Sequence, residues 1–159
     1  MFKKIIFVFI LSLGCLFAQS NGVKVGEKAP SISAKDVSGQ KIDLNDYKGK
    51  VVVVKFWEKG CASCMAELPQ LQLLKDANKD KLAIITINSY NSFEDIKKIQ
   101  NDFNIDYIFA KDDIDITAKR YGVIIVPTMF LIDENGLVKD KIFGMQSWEK
   151  NKNKILKLL

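Results

Sequence analysis

Residues 51–69 read Val-Val-Val-Val-Lys-Phe-Trp-Glu-Lys-Gly-Cys-Ala-Ser-Cys-Met-Ala-Glu-Leu-Pro. The first seven, Val51 to Trp57, are β-branched or aromatic apart from Lys55, the composition of a central strand buried on both faces. The pattern ends at Gly60. From Cys61 to about Ala77 the apolar positions Met65, Leu68, Leu71 and Leu74 fit one helical face, with Pro69 as a predicted kink. Two cysteines three apart on a first helical turn face the same way, close enough to form a disulfide. Cys61 lies at the helix N-terminus, where free N–H groups and the macrodipole favour a thiolate. That makes Cys61 the attacking sulfur and Cys64 the one that resolves a mixed disulfide.

Outward from this unit the chain alternates. Leu82 to Asn88 reads as a second buried strand. Ser92-Phe93-Glu94-Asp95 resembles a capping box opening a helix with Phe93, Ile96, Ile99 and Phe103 on one face. A short strand is expected at Tyr107 to Ala110 and a short helix at Ile114 to Tyr121, stopped by Gly122. Beyond Pro127, strands Thr128 to Asp133 and Leu137 to Phe143 flank Glu134-Asn135-Gly136, a hairpin signal. Ser147 caps a final helix to Leu159, whose Lys150, Lys154 and Lys157 read as a solvated face. Upstream, Ile32 to Val37 and Lys41 to Leu44 flank Ser38-Gly39-Gln40 and predict a β-hairpin ahead of the main body.

Composition narrows the chemistry. The 159 residues are 48% apolar and 27% charged, enough for one globular domain. There is no histidine, which excludes Ser/His/Asp and Cys/His catalysis and His-held metals or haem. The net charge of +5 is mild, basic and acidic groups alternate, and Arg120 is the single arginine, so nucleic acid is not an expected partner. A zinc site needs about four ligands and one Cys-x-x-Cys supplies two, so no metal is expected. A purely structural disulfide closing so short a loop would constrain little.

Residues 1–20 read as a signal peptide. Lys3 and Lys4 precede an apolar run, Ile5 to Ala18, spanning about 21 Å as a helix against a hydrocarbon core of about 30 Å. Cleavage after Ala18 or Ser20 leaves the same domain, 21–159. Gly14-Cys15 resembles the end of a bacterial lipoprotein site, although Ser12 stands where a Leu-like residue is usual. Membrane anchoring follows only if Cys15 is lipidated or the leader is uncleaved. Either way the expected location is periplasmic or otherwise extracytoplasmic, an oxidising compartment where a dithiol needs a supplier of electrons.

Three stretches resemble the thioredoxin superfamily, in particular the secreted TlpA/ResA-like branch of the redoxins. They are Val25-Gly26-Glu27-Lys28-Ala29-Pro30 with the hairpin and Tyr47-Lys48-Gly49-Lys50; Phe56-Trp57 ahead of Cys61-Ala62-Ser63-Cys64; and Tyr121-Gly122-Val123 through Val126-Pro127-Thr128 to Gly136. The resemblance implies an α/β thioredoxin-like fold, a central mixed sheet flanked by helices, with the N-terminal hairpin as an addition. It also implies a cis Val126-Pro127 peptide against the disulfide. Val126 would pair its backbone with an extended client segment, with Pro127 and Trp57 completing the client-binding surface. Glu67, in Cys-x-x-Glu-x-Pro, resembles a glutamate near the active-site thiols that accepts the Cys64 proton; an exposed helix glutamate is the plain alternative.

Two departures stand out. Gly60 replaces the usual Trp before the first cysteine, which predicts a more open rim. Lys55 occupies the position of a buried Asp in cytoplasmic thioredoxins, where it either points under the disulfide and favours thiolates or snorkels outward.

The resemblance implies a thiol–disulfide oxidoreductase with no cofactor beyond the Cys61–Cys64 couple. Its expected partners are disulfide-bearing client proteins and a membrane thiol carrier as reductant, with apocytochrome c as a typical client. The alternatives are a DsbA-like thiol oxidase, which usually carries a helical insertion absent from this sequence, and a peroxiredoxin-like peroxidase. The latter needs a Pro-x-x-x-Thr-x-x-Cys pocket, whereas Trp57-Glu58-Lys59-Gly60 precedes Cys61.

Overall fold

The computed structural model describes residues 22–159. The expected signal peptide and Cys15 lie outside the described residues. Six strands form one mixed sheet: β1 (Lys35–Asp36), β2 (Val51–Phe56), β3 (Leu82–Asn88), β4 (Ile108–Lys111), β5 (Thr128–Ile132) and β6 (Val138–Phe143), in the order β1-β4-β3-β2-β5-β6. Four helices connect or close them: α1 (Ala62–Ala77), α2 (Phe93–Asp102), α3 (Ile116–Tyr121) and α4 (Trp148–Leu156).

β2 sits in the interior of the sheet because nothing in it but Lys55 objects to burial on both sides. It runs parallel to β3, with Val51 opposite Leu82 and Phe56 opposite Ile87, and antiparallel to β5, with Val52 opposite Ile132 and Phe56 opposite Thr128. Strand side chains alternate between faces. Val51, Val53 and Trp57 therefore join one cluster with Leu68, Leu71 and Leu74 of α1, Ile96 and Ile99 of α2, and Ile155 of α4. Val52, Val54 and Phe56 join the other, with Tyr121 of α3 and the N-terminal segment residues Val23, Ile32, Ala34 and Ile42. Lys55, odd-numbered, is carried to the α1 and α4 face.

The helix signals materialise with local differences. The Ser92 hydroxyl accepts the Asp95 N–H at 3.1 Å, as a cap should, whereas Ser147 stands at the N-cap of α4 without a side-chain cap bond. The short helix begins at Ile116, two residues later than its expected start, because Asp112 supplies the cap. The buried Asp112 carboxylate accepts the N–H groups of Ile116 at 3.1 Å and Ala118 at 3.0 Å. α1 runs unbroken through Pro69.

The N-terminal hairpin is much shorter than the sequence pattern predicts. It reduces to β1 and a single Lys35–Lys41 bridge, and β1 adds antiparallel to β4 at the sheet border. The cause is Asp36. Its carboxylate gathers the N–H groups of Ser38 and Gln40 and the Ser38 hydroxyl at 2.7–2.9 Å, tightening the turn, while Ile32 and Ile42 go into the core instead of a ladder.

Candidate active site

The site lies where β2 gives way to α1. Cys61 is the N-cap of α1, in extended backbone geometry, and its Sγ accepts the Cys64 backbone N–H at 3.1 Å. The Ser63 hydroxyl stands 3.4 Å from the same sulfur. These groups and the helix dipole stabilise negative charge on Cys61 once the disulfide opens. Cys61 and Cys64 are joined as a disulfide with Cα atoms 5.2 Å apart. Burial distinguishes the two sulfurs: Cys61 is partly exposed, while Cys64 is 0% exposed. An incoming thiol can reach only the first.

Beneath the disulfide lies a buried polar cluster. Lys55 is 0% exposed and ion-pairs with Glu67, which is 6% exposed and one helical turn beyond Cys64. The outward-snorkelling alternative for Lys55 is therefore excluded, as is an exposed Glu67. From α4, Asn151 Nδ2 donates to Glu67 Oε1 at 3.0 Å. Burial pushes the Lys55 ammonium below its ordinary range, and the Glu67 carboxylate pulls it back up by charge and hydrogen bonding. Nothing in the sequence marks Asn151, an asparagine among lysines on an amphipathic helix; only the packing of α4 against α1 brings it in.

Trp57 departs from its expected place at the client surface. It is 1% exposed and meets Phe109 edge-on, ring centroids 5.4 Å apart, so its indole is buried in the core and Trp57 touches the groove only along its inner wall. The reason is parity: Trp57 continues the odd-numbered, core-facing series of β2. Gly60 is exposed, and a Cβ built there meets nothing within 4 Å. The rim beside it is tied down, however. Lys59 N–H donates to Asn91 Oδ1 and Lys59 Nζ to Asp95 Oδ1, both at 2.9 Å.

The second wall comes from the segment after α3. Gly122, in the left-handed region, ends that helix, and the chain passes through Val123–Val126 to a cis Val126–Pro127 peptide. The loop is fixed on both sides of the proline: the Thr128 hydroxyl donates to the Ile125 carbonyl at 2.7 Å and Gly144 N–H to the Pro127 carbonyl at 2.8 Å. Among the described residues, no turn, loop or side-chain hydrogen bond engages the Val126 backbone. Cys61 and Val126 pack at the edge of the same core cluster. Ile124 is 91% exposed and Ile125 52%. With Tyr90 and Lys119 they line an open groove of about 490 Å³ beside β2.

Comparison with known proteins agrees with this geometry. Residues 25–141 match the AhpC/TSA family. The thiol-disulfide oxidoreductase ResA of Bacillus cereus is 33% identical over 135 residues, covering 84% of this chain and 78% of its own length. The thioredoxin-like protein YneN of Bacillus subtilis is 30% identical over 137 residues, covering 84% and 80%. Among solved structures, the thioredoxin domain of a thiol-disulfide oxidoreductase from Bacteroides vulgatus superposes with a TM-score of 0.75 at 28% identity, covering 86% of this chain and 98% of that one. The exposed lipoprotein thioredoxin of Streptococcus pneumoniae gives 0.68 at 26% identity, covering 81% and 100%.

Proposed function

The chain belongs to the AhpC/TSA family, and from its likeness to ResA within that frame we propose that this thiol-disulfide oxidoreductase of the ResA type works outside the cytoplasm as a reductase of protein disulfides. One observation carries the mechanism: the two sulfurs differ in access, Cys61 partly exposed at a helix N-terminus and Cys64 fully buried behind it. In the reduced enzyme the Cys61 thiolate attacks a client disulfide, and one client sulfur leaves as thiolate. Cys64 then attacks Cys61 Sγ, the mixed disulfide breaks, and the client departs with two electrons and, after protonation, two thiols. The couple stores those electrons in two sulfurs and needs no cofactor.

The client lies along the groove as an extended segment, its backbone pairing with Val126 beside Pro127 and its side chains against Ile124 and Ile125. Gly60 keeps the opposite rim low. Glu67 receives the proton Cys64 must lose before it attacks. The leader over residues 1–20 exports the chain, with Cys15 a lipid attachment point if it is retained. A membrane thiol carrier restores the dithiol, and apocytochrome c is the type of client this branch serves. The reducing direction is supported by the short span between α1 and Pro127, which holds β3, α2, β4 and α3 and no helical insertion of the DsbA kind.

Insulin-disulfide reduction tests the reading. Cys61→Ser should abolish turnover and Cys64→Ser should accumulate mixed disulfides through Cys61. Full turnover by either variant would refute the dithiol mechanism. An equilibrium potential near the thioredoxin level of about −270 mV fits a reductase, and one near about −120 mV would make the protein an oxidant.

A further inference from the structure

The Lys55–Glu67–Asn151 cluster raises a problem for the resolving step, and its geometry contains the answer. Cys64 is 0% exposed, so water does not collect its proton; a protein group must. Glu67 is the carboxylate one turn along the same helix face, and residues so spaced have Cβ atoms about 5–6 Å apart. Glu67 is already paired with Lys55. Protonating it alone would strand a buried ammonium, and a buried thiolate without a counter-ion would be costlier still.

Both penalties vanish if the ammonium changes partner. We propose that Lys55 is an exchangeable counter-ion, passing from the Glu67 carboxylate to the Cys64 thiolate as the Cys64 proton moves to Glu67. The buried charge is one cation and one anion before and after, so the transfer needs no net charge to enter or leave the core. The ammonium has capacity for this. Among the described residues Glu67 Oε2 is the one side-chain acceptor recorded for Lys55 Nζ, leaving two of its three N–H groups for a second anion. Asn151 is the positioning residue: its Nδ2 holds Oε1, so the carboxylate stays in place when Oε2 loses the ammonium. The cross-strand neighbours of Lys55, Thr86 on β3 and Met129 on β5, bring no charge, so among the described residues Glu67 is the one ion-pair partner of the cation before the transfer.

The step balances. The proton leaves Cys64 Sγ for a Glu67 oxygen, and the thiolate forms a bond to Cys61 Sγ. The bond from Cys61 to the client sulfur breaks, and that sulfur leaves with the electron pair and takes a proton from solvent. With the Cys64 sulfur now neutral in the disulfide, Lys55 returns to Glu67, whose proton is released.

This inference rests on the dithiol reading and is tested apart from it. Full-length protein carrying Cys15→Ser and Cys61→Ser leaves Cys64 as its one thiol, and the titration of that thiol is followed by ultraviolet thiolate absorbance. Lys55→Met should raise the midpoint by about one to three pH units, the effect of removing a nearby opposite charge, and Glu67→Gln should lower it by freeing the ammonium. A Cys64 midpoint unmoved by Lys55→Met, or shifted in the same direction by both variants, overturns the proposal. Rates separate it from simple charge tuning. With Cys61 present and a client peptide loaded as a mixed disulfide, Glu67→Gln should slow resolution at neutral pH at least tenfold although its thiol is more acidic, because the proton has lost its acceptor. Faster resolution by Glu67→Gln overturns the exchange. Should Lys55→Met not fold, these two Glu67→Gln readouts decide the matter. Wild-type turnover of insulin in parallel keeps the two failures distinct: no turnover defeats the dithiol reading, whereas turnover with the wrong signs defeats only the counter-ion exchange.

Discussion

The energetic weight of the buried polar cluster can be measured by dismantling it in steps. Lys55 and Glu67 are 0% and 6% exposed, so removing either partner strands the other in the core. Lys55→Met or Glu67→Leu alone should cost about 3–5 kcal/mol. Over the 138 described residues, an unfolding entropy of about 2.1 cal/mol/K per residue makes this a fall in Tm of about 10–17 °C. The double variant replaces both charges with apolar groups of similar length and should recover most of the loss. It should not recover all of it, because Asn151 then has neither Glu67 for its Nδ2 nor any recorded partner for its buried Oδ1. The residual deficit is about 1–3 kcal/mol, and adding Asn151→Leu should bring the triple variant to within about 1 kcal/mol of the parent. The assay is guanidinium unfolding of the oxidised protein, with midpoints compared at constant slope. A double variant as unstable as the sum of its singles would refute the coupling. The pH dependence has a definite sign. Burial holds the Lys55 ammonium below its ordinary value of 10.5, so the unfolded chain binds more protons in the window below that value and stability rises with pH across it. In Glu67→Leu, where the compensating carboxylate is gone, the deficit should shrink as pH rises toward the ordinary lysine range.

Two further predictions concern the frame around the site. Burial alone would push the Asp36 carboxyl up, but the Ser38 hydroxyl and the N–H groups of Gln40, Ser38 and Gly39 outweigh it and hold the group below its ordinary 3.8. Its stabilising effect is thus complete above that value and lost as pH falls through the folded one, so Asp36→Asn should narrow the stability gap between neutral and acidic pH, seen in denaturant midpoints measured at both. Asp112→Ala orphans two N–H groups at the start of α3, at roughly 1–3 kcal/mol each. Because α3 delivers the chain to Val126, client turnover should fall with stability, and Asp112→Asn, which keeps one acceptor, should fall less.

The legible parts of this molecule are those written in local pattern. Four consecutive valines fix a two-faced strand, Ser92 fixes a helix start, and the strand-to-helix turn fixes Cys61 at a helix N-cap, because each depends on neighbours within a few residues. The parity of β2 also settles two residues that the pattern left open or misplaced: Lys55 and Trp57 are odd-numbered like Val51 and Val53, and the strand must bury all four on one side. Parity could have been applied to the sequence, and it would have placed the Trp57 indole in the core. Asn151 could not have been found that way. Its role depends on α4 returning to α1 across 84 positions of chain, and no periodicity within α4 distinguishes it from Asn153. The rim is a similar case. A glycine before Cys61 suggests looseness, but the restraint comes from Asn91 and Asp95, remote in sequence from the loop they hold.

The borders of the sheet bear on how such a protein lives among unfolded clients. An enzyme that welcomes extended chains risks having them zip onto its own unpaired strands. Here one border is only two residues long, and Lys35 there faces Lys111 and bridges to Lys41. The other, β6, carries Lys139, Asp140 and Lys141 in succession. Short or charged borders discourage a visiting strand. A wandering polypeptide is turned away at both flanks, and if it pairs instead with Val126, as proposed above, it settles on the segment that packs with Cys61 against one core cluster, so residence on the protein and exposure to its chemistry would become one event.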